Sequence, residues 1–179
     1  MEAVKDDPWS DAFTLVCARW PVSIKLLRLS LVPTVEGTMA LKKVFISFDW
    51  DNDRDYRHLL SAFNENPAND IEFEDSTPGA IATNDVGRVK AVLTTKIREA
   101  THTLVIIGQD ANTKHRDSEK IGTRNWQWWE IEKSIEEGKK LVAVKLASTH
   151  ESPTPLLGVG ATWALSYTVP SIIDALRKA

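Results

Sequence analysis

The residues best suited to chemistry lie in residues 124–130, which read RNWQWWE. In a helix, Trp126 and Glu130 lie one turn apart, so an aromatic ring and a carboxylate would project together near the helix N-terminus. The partial positive charge of that helix end favours an ionised Glu130. A carboxylate beside an aromatic surface suits a reaction that develops positive charge, such as cleavage of a glycosidic bond. A glutamate at this position also stabilises a helix by roughly 0.3–1 kcal/mol with no further role.

Helical spacing divides this segment into a core side and a crevice side. Trp128, Ile131 and Ile135 recur at spacings of three and four, which predicts that they form a stripe facing the core. Trp126 and Glu130 fall on a flank of that stripe. We therefore expect these two residues to face a crevice at the start of the helix.

Five short apolar runs alternate with amphipathic segments along the chain. The predicted strands cover residues 44–48, 71–74, 103–107, 141–146 and 162–165. The predicted helices cover residues 54–64, 86–100, 125–137 and 171–178. Such alternation is typical of parallel βαβ units with right-handed crossovers. We therefore expect an α/β fold with a flavodoxin-like, doubly wound, five-stranded parallel sheet in the order 2-1-3-4-5.

This topology predicts where a ligand binds. In such sheets the ligand lies beyond the carboxyl ends of the strands, where the strand order reverses between the first and third strands. Ser47, Phe48 and Asp49 end the first predicted strand, and Gly108 ends the third. The loop 108–125 and the start of the next helix would overhang the same crevice.

Composition excludes several classes of protein. The formal net charge is −3 and the basic residues form no stripe, so we expect no binding to nucleic acid. The single cysteine, Cys17, excludes an internal disulfide framework and fits a reducing compartment, so we expect a cytoplasmic protein. No apolar run has the length that a membrane span needs.

Residues 1–38 differ from the rest of the chain. Their acidic start is unlike a signal peptide, and the apolar run 22–33 contains Lys25 and Arg28. Met39 reads like a natural start, followed at once by the first strand. We expect residues 1–38 to be an extension or a mis-assigned start, and residues 39–179 to form one domain.

Several other patterns predict no metal site. The alternating acids from Asp49 to Asp55 lack the glycine and the final glutamate of a calcium loop. The four histidines are scattered and have no neighbouring cysteine, so zinc is not expected. Gly158-Val-Gly160 reads as a turn rather than as part of a dinucleotide-binding motif.

Two parts of the chain could contact phosphate groups. His115 and Arg116 lie in a loop that could reach a diphosphate, and Arg124 is the stronger candidate for a phosphate contact.

Three stretches of the chain resemble the Toll/interleukin-1 receptor (TIR) domain superfamily. They are Val44-Phe-Ile-Ser-Phe, Leu104-Val-Ile-Ile-Gly, and the segment that begins at Arg124 and ends in Gly-Lys-Lys-Leu. The chain is most similar to the bacterial TIR-like branch that includes the TIR protein of the Thoeris anti-phage system. The resemblance covers residues 42–147, and its most specific part is Trp126-x-x-x-Glu130-Ile.

The resemblance implies an enzyme in which Glu130 is catalytic in NAD⁺ cleavage. Nicotinamide would be released, and the ADP-ribose part would be hydrolysed or cyclised into a signalling nucleotide. NAD⁺ would be the substrate, and no cofactor is implied. Phe48 would line the nicotinamide or adenine pocket, with Ser47 and Asp49 near the ribose and Trp126 as a wall.

The resemblance also implies partners. Enzymes of this superfamily generally self-associate to complete an active site, and an effector protein would respond to the nucleotide product. The long charged loop 110–123 departs from the family pattern. The segment 75–85 also differs from the loop that mediates assembly in many TIR domains.

Two further hypotheses are open at this stage. The first is a TIR-like interaction module without chemistry, which a closed crevice at Glu130 would favour. The second is an enzyme like the nucleoside deoxyribosyltransferases, which share the sheet order and glycosidic chemistry. Nucleobase exchange that does not depend on NAD⁺ would identify this second class.

Overall fold

The computed structural model describes residues 41–64, 70–74, 81, 83 and 85–179. The predicted extension 1–38 lies outside the described residues, and so does most of the loop 75–85.

Five parallel strands form one sheet in the order β2-β1-β3-β4-β5, as the sequence predicts. The strands are β1 Lys42–Ser47, β2 Ile71–Glu74, β3 His102–Ile107, β4 Lys140–Lys145 and β5 Thr162–Trp163. Every neighbouring pair is parallel. The α/β fold and the strand order are confirmed, and β5 ends two residues earlier than predicted.

The four predicted helices are present as α2, α3, α5 and α6, and the short helices α1 and α4 were not predicted. They are α1 Trp50–Asp53, α2 Arg57–Asn64, α3 Val86–Glu99, α4 Ser118–Ile121, α5 Trp126–Glu136 and α6 Val169–Lys178. A 3₁₀ turn at Arg54–Tyr56 joins α1 to α2, so helical structure begins at Trp50 rather than at residue 54. A second 3₁₀ turn covers Thr154–Leu156.

Side chains from the two faces of the sheet build separate cores. On one face, the alternate strand residues Val44, Ile46 and Phe48 pack with α2 and α6. On the other face, the intervening residues of β1, β3 and β4 pack against α3 and α5. Burying each Leu or Ile side chain stabilises the fold by about 1.5–3 kcal/mol. Because apolar side chains project from both faces of this sheet, both faces must be covered by helices.

Capping residues fix where the two long helices on the second face begin. Asp85 accepts hydrogen bonds from the backbone N–H groups of Gly87 and Arg88 at the start of α3. Asn125 accepts one from the N–H of Trp128 at the start of α5 (2.9 Å). These side chains satisfy donors that a helix start leaves without partners. Gly138, with a φ of 66°, follows the end of α5 as predicted.

Of the predicted core stripe on α5, Ile131 is buried as predicted, whereas the other two residues are not. Ile135 is 40% exposed and Trp128 is only half-buried. The buried residues of α5 are Gln127, Glu130, Ile131 and Ser134. This helix therefore turns a largely polar face to the sheet, because the strands beneath it offer hydrogen-bond partners that replace water.

Within the part of the chain that the structure describes, no helix is long and apolar enough to cross a membrane.

The carboxyl end of β3 is packed against α1. Asp53 is buried, and its carboxylate lies directly over Gly108, where a Cβ atom would overlap it. Burial, followed by the nearby charge of Asp49, raises the pKa of Asp53 to about 6. Gly108 does not have a positive φ, so its role is to leave space rather than to relieve backbone strain.

We predict that Gly108→Ala destabilises the fold by about 1–3 kcal/mol, because the new methyl group overpacks against Asp53. The free energy of unfolding, measured in urea, checks this. The same change in an Asp53→Ala background should cost much less, because the overlapping atoms are gone. Equal losses in both backgrounds would contradict the role given to this contact.

Candidate functional site

The polar face of α5 meets the sheet through hydrogen bonds made by Gln127, Glu130 and Ser134. Gln127 Nε2 donates to the carbonyl of Ile106 at 2.7 Å. Ser47 Oγ donates to Glu130 Oε2 at 2.6 Å. One turn further, Thr103 Oγ1 donates to Ser134 Oγ at 2.8 Å. These contacts fix α5 on β1 and β3, and they account for a helix face that is polar and yet buried.

Glu130 is held at the carboxyl edge of the sheet by Ser47, the last residue of β1. Its side chain is 1% exposed, and no described residue donates to Oε1. Burial raises the pKa of Glu130 to about 8, and the hydrogen bond from Ser47 opposes this rise. Near neutral pH the carboxyl group therefore holds its proton in this conformation.

A cleft of about 850 Å³ lies over the same edge of the sheet. Aromatic and apolar residues come from both faces of the sheet, and charged residues come from the loops and from the short helices α1 and α4. The lining includes Phe48, Asp49, Trp50, Asp51, Asn52, Ile81, Thr83, Val86, Val89, Ala111, Thr113, Lys114, His115, Arg116, Asp117, Lys120, Asn125, Trp126 and Gln127. The size and mixed lining suit a ligand with both ring and charged parts.

The loop between β3 and α5 supplies the basic side of the cleft. Lys114, His115, Arg116 and Lys120 all line it. Lys120 donates to Asp117 at 3.1 Å, which holds the pKa of that carboxyl below its usual range. His115 Nδ1 accepts from the backbone N–H of Asp117, so in the neutral ring the proton is on Nε2.

The residues predicted from sequence fall into three groups. Phe48, Asp49 and Trp126 line the cleft. Ser47 and Glu130 are buried beside it: Ser47 directly precedes Phe48, and Glu130 lies one turn along α5 from Gln127.

The remaining two predicted residues do not line the cleft. Gly108 is buried against Asp53. Arg124 donates to the carbonyl of Asn112, and its guanidinium lies 5.8 Å from the ring centre of Trp128. Arg124 therefore turns toward the outer side of α5, whereas Lys114 and Arg116 reach the cleft.

Sequence reasoning missed Gln127. It lines the cleft, yet it is only 3% exposed and bonds to the sheet. The signal was available in the spacing, because Gln127, Glu130 and Ser134 recur at three and four residues, as a core stripe does. Hydrophobicity alone cannot assign such a stripe to the core.

Among the described residues, no group of three or more His, Cys, Asp or Glu side chains is placed to hold a metal ion. The acids at the cleft are Asp49, Asp51 and Asp117. Asp49 accepts from the backbone N–H of Asp51 and from Asn52, so it acts within its own turn.

Comparison with known proteins gives one family match. The family model of the TIR-like domain of Thoeris protein ThsB matches residues 45–151. This span contains β1 from its fourth residue, the basic loop and all of α5. No curated protein matches the chain significantly.

Solved structures with a related fold are distant in sequence. A prokaryotic SEFIR domain is 16% identical over 76% of this chain and 94% of that chain, with a TM-score of 0.47. A 2-deoxyribosyltransferase from the psychrotolerant bacterium Bacillus psychrosaccharolyticus is 14% identical over 70% of this chain and 87% of that chain (TM-score 0.46). A 2-desoxiribosyltransferase from Leishmania mexicana is 14% identical over 59% of this chain and 65% of that chain (TM-score 0.42). These similarities are too distant to bear on activity.

We predict that Glu130→Gln changes the pH dependence of stability. In the folded protein the pKa of Glu130 is raised from 4.5 to about 8, so its contribution is fully present below about pH 4.5 and is lost as the pH rises through 8. Glutamine cannot ionise. The variant should therefore gain stability relative to the wild type between about pH 5 and about pH 8, by a few kcal/mol.

Urea unfolding at several pH values measures this difference. Glu132→Gln is the matched control, because Glu132 lies on the exposed side of the same helix. The control should follow the wild-type pH dependence. If Glu130→Gln also follows it, Glu130 does not carry the buried proton.

We predict that Ser47→Ala raises the pKa of Glu130 further, because the lost hydrogen bond favours the ionised carboxylate. A carboxyl ¹³C NMR titration would report this directly. Ser134→Ala removes another buried hydroxyl from the same interface without touching Glu130, and it should leave the titration unchanged. A fall in the pKa of Glu130 after Ser47→Ala would contradict the assignment.

Proposed function

The chain belongs to the family of the TIR-like domain of Thoeris protein ThsB, and we propose that it acts as an NAD⁺-cleaving enzyme. It would release nicotinamide and form an ADP-ribose-derived signalling nucleotide in bacterial anti-phage defence. The observation that carries this proposal is the Ser47–Glu130 pair, held at 2.6 Å beside the cleft at the carboxyl edge of the sheet.

The lining of the cleft supports a dinucleotide as the ligand. Phe48 and Trp126 offer aromatic surfaces for the nicotinamide and adenine rings. Lys114, His115 and Arg116 provide basic groups for the diphosphate. A volume of about 850 Å³ is near the upper end of the range for ligand sites, as NAD⁺ requires.

The electrostatics of Glu130 suit cleavage of a cationic substrate. Burial keeps the carboxyl group protonated in the free protein, so the site holds no unpaired buried charge. The nicotinamide ring of NAD⁺ carries a positive charge, and its approach would lower the pKa of Glu130. The resulting carboxylate would stabilise the positive charge that develops on the ribose as the C–N glycosidic bond breaks.

A second candidate function is an interaction module without chemistry. The observation in its favour is that Glu130 is 1% exposed and does not line the cleft. The cleft is open while the carboxyl group is closed off, so catalysis requires a movement that exposes Glu130. A purely structural glutamate would be bonded to Ser47 in the same way.

Our proposal also includes self-association and an effector that responds to the product, with the protein acting in the cytoplasm. The support is the family membership alone. Specific activity that rises with protein concentration would be the expected sign of an active site completed between copies.

The direct test is incubation with NAD⁺ in the presence of the activating trigger, with nicotinamide and nucleotide products identified by mass spectrometry. We predict that Glu130→Gln lowers the rate by about 100-fold or more, because the charge on the ribosyl cation loses its carboxylate. Glu132→Gln is the control and should retain the wild-type rate.

Two results would sink the enzymatic proposal. One is equal nicotinamide release by the wild type and Glu130→Gln. The other is no release by either protein under any activating condition while both remain folded, which would leave the interaction module. Nucleobase exchange without NAD⁺ would instead identify a deoxyribosyltransferase-like enzyme.

A further inference from the structure

Gln127 is a polar side chain of the cleft that the proposed chemistry leaves without a role. It lines the cleft together with Phe48 and Trp126, and it is nevertheless almost fully buried. Buried amides are costly unless their donors and acceptors have partners. The partners of Gln127 therefore indicate what the cleft is built to accommodate.

The orientation of the Gln127 amide is fixed by the sheet. Nε2 donates to the carbonyl of Ile106 at 2.7 Å, and the carbonyl of Ser47 lies 3.4 Å away as a second acceptor. A flipped amide would bring Oε1 against these two oxygens, and all three atoms are acceptors only. The amide thus has one stable orientation, which assigns Oε1 as the free acceptor.

Two oxygens on the buried face of α5 have no described hydrogen-bond partner. Gln127 Oε1 is buried, and no described residue donates to it. Glu130 Oε1, one helical turn further on the same buried face, also has no described partner, and it becomes a second acceptor once the carboxyl group is ionised. Leaving buried acceptors without donors costs free energy, which a ligand that supplies donors would offset. Because neither oxygen is exposed, such a ligand must displace the side chains around them.

We propose that Gln127 is a specificity-determining residue whose Oε1 accepts a hydrogen bond from a ribose hydroxyl of a ribonucleotide bound in the cleft. This rests on the proposed function, because it takes NAD⁺ as the ligand. The cis-diol of ribose carries two O–H donors on adjacent carbons, one for Gln127 and one for Glu130 once the cationic ligand has lowered the pKa of that carboxyl group. A deoxyribose offers only one, so this pair selects ribonucleotides against deoxyribonucleotides.

The test compares ligands that differ by one hydroxyl. The probes are the carbocyclic analogue of NAD⁺, which cannot be cleaved, and versions of it that lack the 2′- or the 3′-hydroxyl on the nicotinamide side. Binding to the full-length wild type and to Gln127→Met is measured by titration calorimetry. Gln109→Met is the matched control, because Gln109 is exposed and lies outside the cleft lining.

We expect the wild type and Gln109→Met to bind the complete analogue about tenfold more tightly than one of the deoxy versions, which corresponds to about 1.4 kcal/mol. Gln127→Met should bind these two ligands with equal affinity. Circular dichroism establishes that the variant is folded. If Gln127→Met is not folded, Gln127→Asn is measured instead. Asparagine keeps the amide but is one methylene shorter, so its oxygen lies further from the ligand and the preference for the complete analogue should fall.

A hydroxyl preference that survives in folded Gln127→Met, or that is absent from the wild type, overturns the proposal. A further ligand, 3-acetylpyridine adenine dinucleotide, replaces the carboxamide N–H₂ by a methyl group. If Gln127→Met loses the preference of the wild type for the carboxamide over the acetyl group, and not the preference for the hydroxyl, then the carboxamide is the donor. The ribose assignment is then overturned. Binding with the predicted preference but without nicotinamide release would sink only the enzymatic proposal.

Discussion

The arrangement of the site depends on one buried hydrogen bond, from Ser47 at the end of β1 to Glu130 in the second turn of α5. The bond joins the centre of the sheet to the helix that overhangs its carboxyl edge. Phe48 follows Ser47, and Trp126 and Gln127 precede Glu130 on the helix, so the two elements that form the bond also shape the cleft. Ionising a carboxyl group that is shielded from water costs free energy. Glu130 keeps its proton and accepts a hydrogen bond from Ser47, and both reduce the free-energy cost of burying it.

The sheet order was predictable because the central parallel strands are buried on both faces and therefore read as short apolar runs. The rotation of α5 about its own axis was not predictable in the same way. Trp128 and Ile135 have core-like spacing and chemistry, yet the residues that face the sheet include Gln127 and Glu130. Rotation is decided by what lies across the interface, and here that is a backbone carbonyl and the hydroxyl of Ser47. Ser47, a polar residue within the predicted apolar strand 44–48, was a further feature of the sequence that indicated a polar interface here.

The topological rule points to the edge of the sheet where the cleft lies, without resolving which side chains turn toward it. The cleft crosses the top of β1, so Phe48 reaches it from the α2 and α6 face and Trp126 from the opposite face. Gly108 directly follows the neighbouring strand β3 and is nevertheless covered by Asp53. Arg124 precedes α5 and is drawn toward Trp128. Closeness in sequence to a strand end is therefore weaker evidence than the contacts each side chain makes.

The lengths of the strands limit how another chain could pair with the sheet. The three central strands have six residues each, whereas the edge strands β2 and β5 have four and two. An edge this short exposes few backbone N–H and C=O groups to a strand of another molecule. The sheet is therefore a poor template for the addition of a strand from another molecule. A partner protein would therefore find helices and loops rather than a strand edge, and these are the elements that surround the cleft.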